Sequence, residues 1–190
     1  MAIEHVFLDA CVLVPSRLRG VLLDLSHAGR FKPRWNETVL DEFERTLLGA
    51  GVTPTSMRWL RDSMAGNWPE ACVTDWEHLV DDMGNHPKDR HVLAAAVHAE
   101  VPVVVTLNLR DFPVQICAHW GVQIQHPDEF LCRLFHDDPE STAAGVRSFA
   151  DRLKRPPTSV EEVLGSLEWP RRNEFATLLR TWLDSPSTRG

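Results

Sequence analysis

Cysteine is scarce in this sequence, and no two cysteines stand at the spacing of a metal or redox motif. There is no CxxC pair and no cysteine with a histidine partner at zinc-finger spacing; the four cysteines are Cys11, Cys72, Cys117 and Cys132. The chain has 190 residues, 43% of them apolar, so it can bury a sizeable core without disulfides or a structural metal. We therefore expect the cysteines to be small buried residues of a protein in a reducing compartment.

Long apolar stretches are also missing. The longest ones, residues 92–97 and 101–105, are much shorter than the ~20 residues that cross a bilayer. The first residues do not show the basic segment and long apolar segment of a secretory leader. We therefore expect a soluble, cytoplasmic protein without a membrane partner.

The sequence has no excess of positive charge. Its formal net charge of −7 argues against a general nucleic-acid binder, which is usually basic. The charge is uneven, however: residues 15–34 carry five basic side chains, including Arg17 and Arg19, against one acid, whereas residues 70–89 carry six acids against one lysine. Both runs are typical of solvated surface, and the basic run is also suited to holding the phosphate groups of RNA.

The motifs of several enzyme classes are absent. No GxSxG marks a serine hydrolase, no glycine-rich loop follows a predicted strand to hold a nucleotide, and the histidines form no HExxH zinc motif. A phosphatase of the haloacid dehalogenase type needs a second aspartate two residues after the first, and Cys11 stands there after Asp9. These absences leave carboxylates as the main candidates for chemistry.

Polar groups follow two predicted strands at the point where each strand ends. Asp9 comes directly after an apolar strand at residues 3–8, and Asn108 and Asp111 lie in the loop after a β-branched strand at residues 102–106. Ligands of open parallel sheets collect beyond the carboxyl ends of the strands. Asp9 therefore either belongs to such a site or makes a turn or helix cap.

Two predicted helices add further acids. The helix that begins after Asn36 and runs to about residue 48 carries Glu42 and Glu44 on opposite sides of its apolar stripe, so periodicity does not choose between them. A second helix, residues 89–99, begins with Asp89 on its inward-facing stripe. An inward carboxylate needs a compensating partner, which is either the helix N-terminus or a metal ion.

The order of the elements predicts an α/β fold. The helix at residues 89–99 leads into the strand at residues 102–106. A strand, a helix and a strand in this order form a βαβ unit, which indicates parallel pairing. Residues 31–35 are predicted to be a connector between helices. From residue 137 onward strands are lacking, and three amphipathic helices are expected at residues 139–153, 159–167 and 170–183. We therefore predict two parts, residues 1–136 and a helical C-terminal extension at 137–190.

In residues 3–130 the chain resembles the PIN-domain ribonucleases, and within them the VapC-like toxins of type II toxin–antitoxin systems. The resemblance is carried by the strand that ends in Asp9, the VLDEFERTL helix with Glu42, the KDRHVLAAA helix with Asp89, and the VTLNLRDF loop. It implies a three-layer α/β/α sandwich with a mostly parallel sheet. The acids of the family's metal site fall on four positions, Asp9, Glu42, Asp89 and either Asp111 or Asn108, with Thr106 in support.

The resemblance also implies an activity and partners. It predicts a Mg²⁺- or Mn²⁺-dependent endoribonuclease that cuts tRNA or mRNA to leave 3′-hydroxyl and 5′-phosphate ends, with Arg17 and Arg19 as phosphate contacts. An antitoxin protein and a second copy of the chain are the expected protein partners. The uncharged Asn108 keeps an alternative open, namely a PIN-like module that binds RNA or protein with little or no cleavage.

Overall fold

The structure, a computed structural model, describes residues 3–185 and contains a five-stranded, all-parallel sheet. In spatial order the strands run β3-β2-β1-β4-β5. Their bounds are β1 His5–Leu8, β2 Lys32–Asn36, β3 Cys72–Val73, β4 Val103–Val105 and β5 Gln123–Gln125. The predicted α/β class with a parallel central sheet and C-terminal helices is confirmed.

Ten α-helices accompany the sheet among the described residues. In chain order they are α1 Ala10–Leu13, α2 Ser16–His27, α3 Glu37–Gly49, α4 Pro54–Asn67, α5 Arg90–His98, α6 Val114–His119, α7 Pro127–Asp137, α8 Pro139–Arg152, α9 Val160–Gly165 and α10 Glu174–Asp184. Short 3₁₀ turns occur at Glu77–Asp82, Pro87–Asp89 and Leu109–Asp111. No helix within residues 3–185 is long and apolar enough to cross a membrane.

The two strands at the centre of the sheet form because their sequences are apolar and β-branched. Phe7 of β1 and Val104 of β4 lie opposite each other and are fully buried. Such strands are covered on both faces and suit a parallel sheet. Because β1 pairs with β4 on one side and with β2 on the other, the chain changes direction across the sheet between β1 and β4. This is a topological switch point, where open α/β sheets place their ligands.

The predicted connector at residues 31–35 is wrong. Residues Lys32–Asn36 form β2, which pairs in parallel with β1 through His5 and Lys32, and with β3 through Trp35 and Cys72. Pro33 lacks a backbone N–H and two basic residues interrupt the apolar pattern, so the segment does not look like an inner strand. Tertiary pairing on both edges overrides this weak local preference.

Helix starts follow the capping chemistry of the sequence, with one displacement. The Asn36 side chain accepts a hydrogen bond of 2.8 Å from the Val39 backbone N–H, so the predicted cap of α3 is confirmed. The helix predicted at residues 170–183 begins only at Glu174, because residues 169–172 close a turn between Trp169 and Arg172. The short helices α1 and α6 were not predicted.

The described residues form two compact units, which are not consecutive in sequence. One contains residues 3–15 and 31–125, and the other contains residues 16–30 and 126–185. Helix α2 and residues 126–136 thus pack with the C-terminal helices, although the sequence places them in the first part. The domain boundary at 136/137 remains a proposal, and the end of the second predicted part, residues 186–190, lies outside the described residues.

The second unit is a helical assembly with close contacts between glycines and large side chains. Gly20 of α2 lies against the Phe149 ring of α8, and Gly145 of α8 lies against Leu25 of α2. A Cβ at either glycine would stand within 3 Å of these side chains, so the α2–α8 packing depends on both glycines.

Candidate functional site

Asp9 is held between the ends of β1 and β4. It occupies the N-cap position of α1, but its side chain makes no capping hydrogen bond. Instead its buried carboxylate accepts hydrogen bonds at Oδ2 from the Thr106 hydroxyl (2.6 Å) and from the Cys11 thiol (3.0 Å). The side chain of Asp9 therefore does not cap the helix, and its orientation is fixed by Cys11 of α1 and by Thr106, directly after β4.

Thr106 and Cys11 also anchor the loop that follows β4. The Asn108 backbone N–H donates to the fully buried Thr106 hydroxyl (2.9 Å), and the Leu107 backbone N–H donates to the Cys11 sulfur (3.2 Å). Burial and the nearby Asp9 charge raise the pKa of the Cys11 thiol well above its ordinary range, so it stays protonated and remains a donor. Cys11 was expected to be only a small buried residue, and this polar role was missed. The same expectation is wrong for Cys72, which is exposed.

The structure distinguishes Glu42 from Glu44. Glu44 forms an ion pair of 2.7 Å with Arg61 of α4. Glu42 faces the other acids: burial, and then the charges of Asp9 and Asp89, raise its pKa to about 6. Of the two glutamates that periodicity left equivalent, Glu42 is the one that joins the acids.

Asp89 is the third acid at this edge. It stands before the first residue of α5 and, like Asp9, makes no side-chain capping bond. Burial, together with the charges of Asp9 and Asp111, raises its pKa to about 6. The side chain of Asp89 therefore does not cap the helix, which was the alternative to metal binding. Its backbone carbonyl accepts a hydrogen bond of 3.0 Å from the Asn85 amide, which fixes the start of the helix.

Asn108 and Asp111 complete the cluster on the side of β4. The Asn108 side-chain amide donates to Asp111 (2.6 Å) and, over a longer distance of 3.4 Å, to Asp89. The hydrogen bond from Asn108 lowers the pKa of Asp111. His86, Asp89 and Asp111 each offer a ligand atom within 4.8 Å of the others. The structure thus gathers both candidates for the fourth position, with the exposed His86 beside them.

His91 is a buried neighbour that the sequence did not distinguish from the other histidines. It lies in the first turn of α5, and its Nε2 is 3.7 Å from Oε2 of Glu42. Its backbone carbonyl accepts a hydrogen bond of 3.0 Å from the Asn36 amide, so the start of α3 and the start of α5 are joined. Burial lowers the pKa of His91, which favours its neutral form. The sequence alone could not predict that His91 lies beside Glu42, because its partners come from other elements of the fold.

The two arginines predicted to bind phosphate lie in the other compact unit. Arg17 donates a hydrogen bond of 2.8 Å to the backbone carbonyl of Glu162 at α9. Arg19 is partly buried, and burial lowers the pKa of its guanidinium group. Their role in substrate binding remains a prediction.

The chemistry of the gathered side chains fits a hard divalent cation. Carboxylates that lie partly out of water and close together are disfavoured in their charged form, and both burial and the neighbouring charges raise the pKa values of Glu42 and Asp89. A cation between them would stabilise the charged form. Oxygen ligands from carboxylates suit Mg²⁺ and Mn²⁺. The acidic cluster can therefore hold such an ion.

Two comparisons with known proteins found sequences that are similar to this chain. A family model described as the VapC50 C-terminal domain matches residues 127–181. The chain is also 37% identical over 92 residues to a protein of Mycobacterium tuberculosis (strain ATCC 25618 / H37Rv) named "Putative ribonuclease VapC50". That match covers 48% of this chain and 54% of the relative, so the chain spans about half the length of the relative.

No solved structure matched the chain at a significant level. The family model matches the region of helices α7 to α10, and the parallel sheet agrees with the α/β fold that the resemblance implies. These two matches, each over less than half of the chain, support the resemblance to the VapC-like proteins of the PIN-domain family.

Proposed function

We propose that this chain is a metal-dependent endoribonuclease that hydrolyses RNA phosphodiester bonds, and that it is the toxin of a toxin–antitoxin pair acting on tRNA or mRNA. The observation that supports this most is the convergence of Asp9, Glu42 and Asp89 at the switch point between β1 and β4. Burial, and then the charges of the neighbouring acids, raises the pKa of Glu42 and of Asp89 to about 6. Three acids from distant parts of the chain have no structural need to meet in this way.

In this proposal Asp9, Glu42, Asp89 and Asp111 hold Mg²⁺ or Mn²⁺, and Thr106 and Asn108 support them. The bound cation supplies a Lewis acid that lowers the pKa of an attacking water and stabilises negative charge on the phosphate. Thr106 and Cys11 keep one oxygen of Asp9 in a fixed orientation through their hydrogen bonds. Asn108 does the same for Asp111. A preorganised set of ligands needs little rearrangement when the reaction occurs.

The experiment is a cleavage assay of an RNA pool in Mn²⁺ or Mg²⁺, with mapping of new 5′-phosphate ends. Asp9→Asn, Glu42→Gln and Asp89→Asn are each expected to lower the rate by ~10²-fold or more, the size of effect seen when one electrostatic partner of a transition state is lost. Glu44→Gln is the matched control. It lies on the same helix and loses an ion pair with Arg61, but it is not among the acids.

The variants distinguish activity of the acidic site from activity of a contaminating nuclease and from loss of activity through unfolding. Glu44→Gln should keep the rate of the wild-type chain. If Asp9→Asn and Asp89→Asn are both folded and as active as wild type, the acids do not carry the activity. Equal losses in Glu42→Gln and Glu44→Gln would assign the effect to helix α3 rather than to the site.

A second candidate function rests on Asn108. Its uncharged amide donates to Asp89 and Asp111, where a further carboxylate would strengthen the binding of a metal. A PIN-like module that binds RNA or protein without efficient cleavage would follow from a weak site. In that case wild type and Asp9→Asn bind RNA equally and neither produces new ends.

The remaining partners and the compartment are proposals of the same kind. An antitoxin should relieve growth arrest on expression of the chain, and sedimentation should reveal a homodimer. If Arg17 and Arg19 contact phosphate, replacing both with methionine should raise KM for RNA and leave kcat nearly unchanged. A cytoplasmic location agrees with an RNA substrate.

A further inference from the structure

A buried nitrogen lies beside the acids and has no partner. His91 is 8% exposed, and its Nε2 is fully buried without a hydrogen-bond partner among the described residues. Buried polar atoms are nearly always satisfied, so an orphaned one needs an explanation. The atom that lies close to it is Oε2 of Glu42, at 3.7 Å.

The tautomer of His91 determines what Nε2 can do. The imidazole makes a hydrogen bond with the backbone of Lys88, and because Nε2 has no partner, this bond belongs to Nδ1. A neutral imidazole that donates from Nδ1 carries a lone pair on Nε2. Metal-binding histidines are commonly held in this way, with one nitrogen on a backbone carbonyl and the other on the metal.

Nε2 of His91 and the carboxylate of Glu42 are then two acceptors that face each other. A separation of 3.7 Å is too long for a direct hydrogen bond. Two ligand atoms that are each ~2.1 Å from one ion lie about 3.0 Å apart at a right angle and about 4.2 Å apart on opposite sides. The observed distance falls within this range without any movement of either side chain.

The backbone around His91 is also fixed. Its carbonyl accepts from Asn36 at the start of α3, and its ring stands at 6.3 Å from the Trp76 ring, tilted by 53°. The histidine is therefore held from two sides while its free nitrogen faces the acids. A ligand needs this kind of support from its surroundings.

We propose that His91 is a nitrogen ligand, through Nε2, of the divalent cation that Glu42 and its neighbouring acids hold. The proposal rests on the proposed metal site and also specifies which metal ion the site prefers. An imidazole suits transition-metal ions, whereas Mg²⁺ prefers oxygen ligands alone. The mixed set of nitrogen and oxygen ligands therefore selects Mn²⁺ over Mg²⁺.

The test is pulsed electron paramagnetic resonance of the full chain loaded with Mn²⁺, which detects a nitrogen nucleus bonded to the ion. The proteins compared are wild type, His91→Gln and His86→Gln. His86→Gln removes the rival nitrogen donor, because His86 is an exposed histidine whose Nδ1 lies 3.8 Å from Oδ2 of Asp89. Wild type and His86→Gln should show the nitrogen coupling, and the coupling should change when histidine is labelled with ¹⁵N.

His91→Gln should lose the coupling and bind Mn²⁺ at least ~10-fold more weakly by calorimetry, while its affinity for Mg²⁺ changes much less. If Mn²⁺ binds wild type and no nitrogen coupling appears, His91 is not a ligand, although the metal site stands. Loss of the coupling in His86→Gln would likewise overturn the assignment. If Mn²⁺ does not bind the wild-type chain, the proposed metal site itself is wrong. Should His91→Gln fail to fold, the labelled His86→Gln protein still tests the assignment, because loss of its coupling would place the nitrogen ligand at His86.

Discussion

Replacing Glu42 with glutamine should stabilise the metal-free protein at neutral and higher pH. The pKa of Glu42 is raised from its ordinary value of 4.5 to about 6 by burial and by Asp9 and Asp89. At about 1.4 kcal/mol per pKa unit, this corresponds to about 2 kcal/mol. The Glu42 side chain is 34% exposed, so solvent screens part of the repulsion, and we expect about 1 kcal/mol.

The sign of the effect follows from the direction of the pKa change. A group that binds its proton more tightly in the folded state contributes stability below its unfolded pKa and loses it as pH rises through its folded pKa. Wild type should therefore lose about 1 kcal/mol between pH 4.5 and pH 7 relative to Glu42→Gln, which has no proton to lose. Below pH 4.5 the free energies of unfolding of the two proteins should be similar.

The assay is urea unfolding at pH 4 and pH 8 with a chelator present, followed by tryptophan fluorescence. Glu44→Gln serves as control: it loses an ion pair with Arg61, which keeps Glu37 and Asp41 as partners, so it should lose ~0.5 kcal/mol or less and gain nothing with pH. The reasoning is refuted if Glu42→Gln is no more stable than wild type at pH 8. It is also refuted if the difference between them is the same at both pH values.

Three further predictions use other parts of the molecule. Because Glu42 and Asp89 both have a pKa of about 6, protons should compete with Mn²⁺, and its apparent affinity by calorimetry should fall ~100-fold from pH 7 to pH 5; a constant affinity would contradict this. Asn108→Asp adds a carboxylate beside two acids, so the melting temperature of the metal-free protein should fall at pH 8 and Mn²⁺ should bind more tightly; a rise in melting temperature would oppose this. Asp128 accepts hydrogen bonds from the backbone N–H groups of Glu174 and Phe175 at the start of α10. Asp128→Ala should therefore lower the free energy of unfolding by about 2 kcal/mol and speed hydrogen exchange in residues 174–184. Unchanged exchange there would show that these bonds do not hold the helix.

Much of the sheet could be predicted because its inner strands carry strong local signals. β1 and β4 are apolar runs that end in polar residues, and the cap Asn36 places the start of α3. β2 could not be predicted, because its residues, including Lys32 and Pro33, favour strand formation only when paired on both edges. The two-unit arrangement was also hidden, since α2 packs with helices more than a hundred residues away in sequence.

The site was predictable where an acid follows a strand and unpredictable where partners from other elements decide. Asp9 directly follows β1, and Asp111 lies in the loop after β4, and the sequence reveals both positions. Glu44 is excluded from the site because it forms an ion pair with Arg61 of α4. Helical periodicity contains no information about this contact, so it could not choose between Glu42 and Glu44. The roles of Cys11 and His91 likewise depend on contacts with Thr106 and Glu42, far away in sequence.

The proposed function requires that acids from distant parts of the chain form one cation site at the junction of β1 and β4. The most direct measurement is an anomalous difference map from crystals soaked in Mn²⁺. A peak is expected within bonding distance, ~2.2 Å, of oxygens from Asp9, Glu42 and Asp89. Bound Mn²⁺ away from these three carboxylates, or none at millimolar concentration, would contradict it.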